Sequence, residues 1–484
     1  MMGKGLWSML CLGVLVASAC VTEEVVEPAP EGQQDPGVIV EDDQGQRFCS
    51  VDLNGIAVDK STDTAIVIQQ SRPDCSGPLL KSLYGLRPEF DGARHMVTMK
   101  DVRRVRVHTP GDKLRVTARA ENSERLQVHD IDPQTLERRW TLELGEPERF
   151  NTSPQGRYMV LDMADDTPAG FEGFDRRVVV DTERHRERLD LQVPGLLVEF
   201  HWLDDQTAVT VSIVSAGDEE GLIGQIQVWD TAQWDWSDGA TNEPARLISL
   251  EGVLFNSSKV HGRTNQLVVL GTGEAEETVV TAVDLSTGQQ RRWSSESAPE
   301  SGPEFGAFAK DVAFVGLDKA IVTDRWGFMV LDLTLEGELV ATSRVTAPLG
   351  ASRVVRDLSG EFAMVEMRLE EGESPTGLEG VAVLVDLNEG VLTELGPLSL
   401  QNAVLRGVNG EFWGQEQGVL FRVSPRDAVV EEIDPDVVSA DVLATLDLSD
   451  RLVVLDREAM TVGLFNPDTL RAVELFEIEP APEP

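Results

Sequence analysis

Six histidines are scattered along the chain: His95, His108, His129, His185, His201 and His261. None belongs to an H-E-x-x-H pair or to another short spacing that would aim two imidazoles at one metal ion. His201 stands apart because it lies in "EFHWLDD", with Trp202, Asp204 and Asp205 immediately behind it. An imidazole near carboxylates has the composition for acid–base work or for holding a cation. The plain alternative is a strand-end histidine followed by turn carboxylates. Trp326 in "DRWGF" and the tryptophans of "QWDW" (233–236) would anchor a sugar or a partner protein if exposed, and would pack between sheets if covered. A G-x-S-x-G nucleophile elbow and a G-x-x-x-x-G-K-[ST] phosphate loop are both absent. The acidic loops "SAGDEEGLIG" (215–224) and "LEEGESPTGLEG" (369–380) lack the D-x-[DN]-x-[DN]-G spacing of a calcium loop, and read as solvated hairpin ends. No cofactor and no metal set is implied.

The elements that would carry these residues repeat. "TAVDLSTGQQRRW" (281–293) is an apolar run, a polar turn opened by Asp284, and a second run. The same shape recurs around Asp132, Asp181, Asp230, Asp332, Asp386, Ser424 and Asn466, at steps between 38 and 54 residues, the range of repeat architectures. A strand–turn–strand unit precedes each copy, as in "NTSPQGRYMVLD" (151–162) and "FHWLDDQTAVTVSIV" (200–214). Two hairpin-like units per period make four antiparallel strands. Such a sheet cannot bury both faces alone, so successive sheets must pack face to face. The fold class predicted is all-β, a β-propeller of four-stranded antiparallel blades over residues 101–478. Eight blades are expected, or seven if one copy is an insertion.

The turn "SPQGRY" and the V-x-D-x-x-T-G strand endings resemble degenerate bacterial relatives of WD-repeat and YVTN-type propellers. Trp229-Asp230 is the only W-D dipeptide on such a turn. The resemblance implies a propeller and is nearly silent on activity, because propellers host many functions. Residues 46–100 fit the repeat poorly and are expected to pack on the propeller or form part of it. Within them "GIAVDKSTDTAIVIQQ" (55–70) reads as a hairpin and "GPLLKSLYGLR" (77–87) as one short helix.

The N-terminus speaks to location. Lys4 precedes the apolar run "LWSMLCLGVLVASA" (6–19), which is shorter than the roughly 20 residues a membrane-spanning helix needs. It has the length of a signal-peptide core, so residues 1–19 are read as a signal peptide. The run ends in "VASAC", which resembles a bacterial lipobox, with Ala17 where that pattern usually has Leu. The resemblance implies a lipidated Cys20 at the mature N-terminus. The competing reading is an A-x-A cleavage site at Ala17-Ser18-Ala19 and a soluble exported product. Residues 20–45 are acidic, Pro-bearing and free of bases, as suits a tether, and 479–484 read as a disordered tail. Val21 is not the Asp that resemblance associates with inner-membrane retention, which favours the outer membrane. Cys11 leaves with the signal peptide, so Cys49 and Cys75 remain as one pair in an oxidising compartment, and a disulfide is expected.

The 84 acidic and 42 basic residues give a formal charge of −42, which repels nucleic-acid phosphates and anionic headgroups. No nucleic-acid partner is expected, and contact with a membrane would run through the lipid at Cys20. Only eight bases are Lys, the last of them Lys319, a bias that suits a high-GC genome, a salty habitat or both. These features favour a monomeric, non-catalytic scaffold at the cell envelope that binds a protein or a glycan. A small-ligand sensor using the central channel is the alternative. So is a propeller enzyme resembling lactonases or quinoprotein dehydrogenases, which would need His, Arg or carboxylates converging from several inner strands. Candidate binding residues are His201, Trp202, Asp204, Asp205 and Trp326.

Overall fold

The computed structural model describes residues 40–41, 47–48 and most of 50–477. Residues 1–39, 42–46, 49, 73–78, 164–172, 216–221, 295–308, 325–326, 369–380, 435–441 and 478–484, with shorter gaps elsewhere, lie outside the described residues. The calls on Cys20, Cys49, Cys75 and Trp326 fall among these. A two-residue ladder pairs Val40–Glu41 with Arg47–Phe48, and everything else is four-stranded antiparallel sheet. There are nine such sheets among the described residues, the blades of a β-propeller. Numbered in chain order they span 50–100, 102–144, 147–194, 196–250, 253–294, 309–346, 350–396, 404–433 and 442–477. In every blade the strands lie in sequence order across the sheet.

Nine blades replace the eight or seven expected. The additional one is blade 1, residues 50–100, which sequence leaves as packed on the propeller or part of it. Its third strand, Leu80–Leu86, is the stretch expected to be a short helix. Leu80, Leu83 and Leu86 mimic a helical spacing. All seven residues of that strand are buried, so there is no exposed face to impose alternation. Among the described residues the helical content is one 3-10 turn at Thr231–Gln233, capped by Asp230, and no helix is long and apolar enough to cross a membrane.

Blade 5 shows why these sequences make these strands. Its second strand, Gln266–Gly273, has the run Leu267-Val268-Val269-Leu270. Side chains alternate faces, so Leu267 and Val269 pack against blade 4 while Val268 and Leu270 pack against blade 6. The third strand, Thr278–Asp284, does the same with Val279 and Val283 toward one neighbour and Val280 and Ala282 toward the other. Only the outer strand, Gln290–Ser294, alternates between covered and open positions, with Arg292 exposed.

The recurring turn joins the third and outer strands. Asp284 accepts the backbone N–H groups of Ser286 and Thr287 at 2.8 and 3.0 Å. Asp132, Asp386 and Asn466 hold their turns in the same way. The fifth residue returns an N–H to the carbonyl of the first, and it sits in the left-handed region: Gly288 at φ 79, Gly390 at 68, and Leu136 and Leu470 at 61 and 54. The Thr-Gly ending is therefore the unstrained form of a turn that other copies make with a side chain present.

These turns also join blades. A cation of one blade reaches the carbonyl that follows the turn Asp of the next. Arg87 reaches Pro133, Arg246 reaches Leu285 and Ser286, Arg291 reaches Leu333, and Lys319 reaches Leu387. The blades fall into two compact units, one carrying most of blades 3–7 and the other blades 1, 2, 8 and 9. In the second unit the two ends of the fold meet. Leu53, Ala65, Val67 and Leu86 of blade 1 share a core with Leu446, Val453, Leu455 and Val462 of blade 9.

Candidate functional site

In blades 4, 5 and 6 the first strands are Leu196–Trp202, Val253–His261 and Ala309–Val315, and they run beside one another. Each is interrupted by a β-bulge at an equivalent place, between Leu197 and Glu199, Phe255 and Ser257, and Ala309 and Asp311. A bulge inserts one unpaired residue and re-aims the side chains that follow it. Here those side chains include Glu199, His201, Ser257, Ser258, Lys259 and Asp311. Gly224 on the third strand of blade 4 allows the close approach, since a Cβ there would stand 2.3 Å from the Phe255 ring.

Glu199 is the hub. Its Oε2 accepts the Ser258 backbone N–H at 2.6 Å, the Ser258 hydroxyl, and the His201 Nε2 at 3.1 Å. Ser257 lies at 3.5 Å from Oε1. His201 Nε2 is also 2.7 Å from Ser258 Oγ. Because that hydroxyl gives its hydrogen to Glu199, Nε2 is the donor to both oxygens. On the other side of the same strand Lys259 Nζ faces Asp311 Oδ1 at 3.8 Å, and that oxygen already accepts the Val312 N–H at 2.8 Å. Burial opposes charge on Glu199, but the hydrogen bond and charge interaction with His201, the Ser258 hydrogen bond and the Lys259 charge outweigh it and hold the carboxyl below its ordinary range. Burial pushes Asp311 up, and Glu199 adds to this, against the pull of Lys259 and the Val312 N–H.

The arrangement departs from the geometry of a serine relay. A serine relay uses Nε2 for the hydroxyl and Nδ1 for the carboxylate. Here one nitrogen meets both groups, and Ser258 gives its hydroxyl hydrogen directly to Glu199. The Ser258 N–H, which could otherwise stabilise an oxyanion, is also taken by Glu199. No three His, Cys, Asp or Glu side chains gather to hold a metal among the described residues.

His201 is thus in the cluster, but its sequence neighbours are not. Trp202 points to the other side, stacks on Tyr158 at 5.7 Å, and joins Trp234 in the core between blades 3 and 4. Trp234 is buried there and Trp236 stacks on the same tyrosine, so "QWDW" packs between blades. Asp204 caps its own turn through the Gln206 N–H. Asp205 reaches across to blade 3, where it accepts the Gln155 and Arg157 N–H groups at 2.9 and 3.3 Å. Glu199, Ser258, Lys259 and Asp311 were missed. Glu199 was legible, since it stands two residues before His201 and so shares its side of the strand. The other three depend on which strands become neighbours.

Fold and site together define a β-propeller with a polar cluster built on three first strands. The chain resembles a solved structure described as the crystal structure of the eukaryotic initiation factor, at 12% identity and a TM-score of 0.53, over 82% of this chain and 93% of that one. Apo AztD from Citrobacter koseri is 11% identical with a TM-score of 0.37, over 73% of this chain and 92% of that one. The β-propeller domain of the Trilobed protease from Pyrococcus furiosus is 11% identical with a TM-score of 0.38, over 71% and 97%. At such identities the likeness shows the fold alone. No family model and no curated relative matches the sequence.

Proposed function

We propose that this is an exported propeller, held at the cell envelope by a lipid on Cys20, that acts as a non-catalytic binding scaffold. Its ligand-facing site is the cluster on the first strands of blades 4–6. The observation that carries the binding reading is the closed bonding of Ser258, His201 and Glu199, which leaves no activated nucleophile. Export is supported by the "LWSMLCLGVLVASAC" leader and the acidic tether behind it. The outer membrane is the favoured address, with Cys49 and Cys75 joined by a disulfide and the chain monomeric.

Radiolabelled palmitate should enter the wild-type protein and not Cys20→Ser, and the variant should leave the membrane fraction. A wild-type protein that is soluble and unlabelled refutes the anchor. Non-reducing alkylation followed by intact-mass analysis should find no free thiol at Cys49 or Cys75. A panel of lactones and p-nitrophenyl esters should be turned over no faster by wild type than by Ser258→Ala. Hydrolysis that depends on Ser258 would overturn the non-catalytic reading.

A further inference from the structure

The cluster is saturated at one end and open at the other. The side chains of Glu199 and His201 are 15% and 13% exposed and form its floor. Those of Lys259 and Asp311 are 20% and 40% exposed and form its mouth. The open hydrogen-bonding capacity is at the mouth. Lys259 Nζ stands 3.8 Å from Asp311 Oδ1, too far for a hydrogen bond, and has no acceptor among the described residues. Asp311 Oδ2 has no donor there. A partly covered ammonium without a hydrogen-bond acceptor, beside a carboxylate oxygen without a donor, favours a polar group in the gap between them.

Charge decides what fits. An anion would approach Lys259 but stand beside two carboxylates. A cation would face Lys259 and find only Asp311 Oδ2 open, because Glu199 Oε2 already accepts three donors. A zwitterion would still bring its carboxylate against both fixed anions. A neutral hydroxylated molecule meets none of these penalties, since each hydroxyl both donates and accepts. We infer that the mouth formed by Lys259 and Asp311 binds a neutral polyhydroxylated ligand, a saccharide or polyol, as the ligand of the scaffold proposed above.

The test uses the full-length purified protein and a fixed panel: glucose, galactose, N-acetylglucosamine, trehalose and myo-inositol. Glucuronate, glucosamine, alanine and calcium chloride serve as charged controls. Binding is read by thermal shift and by saturation-transfer NMR. At least one neutral member should raise the melting temperature and show transfer to its ring protons, with the charged controls silent. Asp311→Asn, and the double variant Lys259→Met/Asp311→Leu, which leaves neither charge orphaned, should weaken that binding at least about tenfold. Circular dichroism confirms that the variants are folded, and Arg292→Ala on the outer edge of blade 5 should bind as wild type does. The inference falls if no neutral member binds, if a charged control binds in its place, or if the double variant binds unchanged. Palmitate labelling at Cys20 and the ester panel are separate readouts, so this failure is distinct from failure of the scaffold reading.

Discussion

Asp63 is one of the residues through which the first blade holds the last. It lies in the turn between the first two strands of blade 1, is 7% exposed, and accepts the N–H groups of Leu448 and Ser449 at 3.1 and 2.8 Å. Those two residues form the equivalent turn of blade 9. Asp63→Ala removes two hydrogen bonds to a charged acceptor. Leu448 is exposed and Ser449 half-buried, so water can reach the freed N–H groups and the loss is at the low end, about 3 kcal/mol for the pair. Alanine must also hold φ 53, which adds roughly 1 kcal/mol. The expected total is about 4 kcal/mol. Asp63→Asn keeps one carbonyl acceptor and tolerates the left-handed backbone, so it should cost about half as much. Urea unfolding followed by tryptophan fluorescence measures both. Hydrogen exchange at Leu448 and Ser449 should quicken in Asp63→Ala before exchange in the blade 5 core does. Wild-type unfolding midpoints with unchanged exchange at those two amides would refute the reasoning.

Val283 is fully buried between blades 4 and 5, so Val283→Asp should cost at least about 3 kcal/mol, while Arg292→Asp on the exposed outer strand should stay within about 0.5 kcal/mol; urea midpoints compare them. Gly288→Ala should cost about 1 kcal/mol from its φ of 79 alone, because a Cβ there meets nothing nearer than Ile248 at 3.7 Å; a neutral result would contradict the left-handed turn. Burial, and then Arg138, lower the pKa of His129 to about 4. The folded state therefore refuses a proton that the unfolded state accepts below its ordinary value of about 6.5. Stability should be fully present above that value and fall by up to about 3 kcal/mol as pH drops toward 4. His129→Gln should lose less stability than wild type between pH 7 and pH 4.5 in the same assay, and equal losses would remove His129 as a cause.

The repeat was legible because it rests on local chemistry. An Asx-type turn needs its Asp and its left-handed residue within five positions, and that signature survives at Asp132, Asp284, Asp386 and Asn466. Blade 1 escaped because its outer turn, "RPEFDG", has no such Asp; Arg87 and a cation–π contact with Phe90 at 5.0 Å stand there instead. Its third strand escaped because full burial erased the alternation that distinguishes a strand from a helix. The site was legible only in part, and for a related reason. "EFHWLDD" gathers its residues along the chain, whereas the structure sorts them by face. Glu199 and His201 turn toward blade 5, Trp202 joins the core toward blade 3, and the two aspartates hold turns. Proximity in sequence made Asp204 and Asp205 look like partners of His201, but the strand ends at Trp202 and both aspartates lie in the turn beyond it.

The bulges explain how a polar cluster came to sit in an otherwise apolar stack. Blades 1 and 2 carry the same interruption in their first strands, between Leu53 and Gly55 and between Val102 and Arg104. Gly55 offers no side chain there, and Arg104 is exposed. The interruption is thus a property of the repeat, and the residue after it is where blades differ. In blades 4, 5 and 6 that residue is Glu199, Ser257 and Asp311, which the packing of first strands brings together. The bulge frees these side chains from the strict in-and-out alternation that commits the second and third strands to core packing. A polar residue can therefore stand there without displacing the apolar pairs between blades, such as Val211 against Leu267 or Val322 against Val268. Charge gathers where the ladder is already broken, and a neighbouring blade supplies the partner: the Ser258 hydrogen bonds for Glu199, and the Lys259 charge for Asp311.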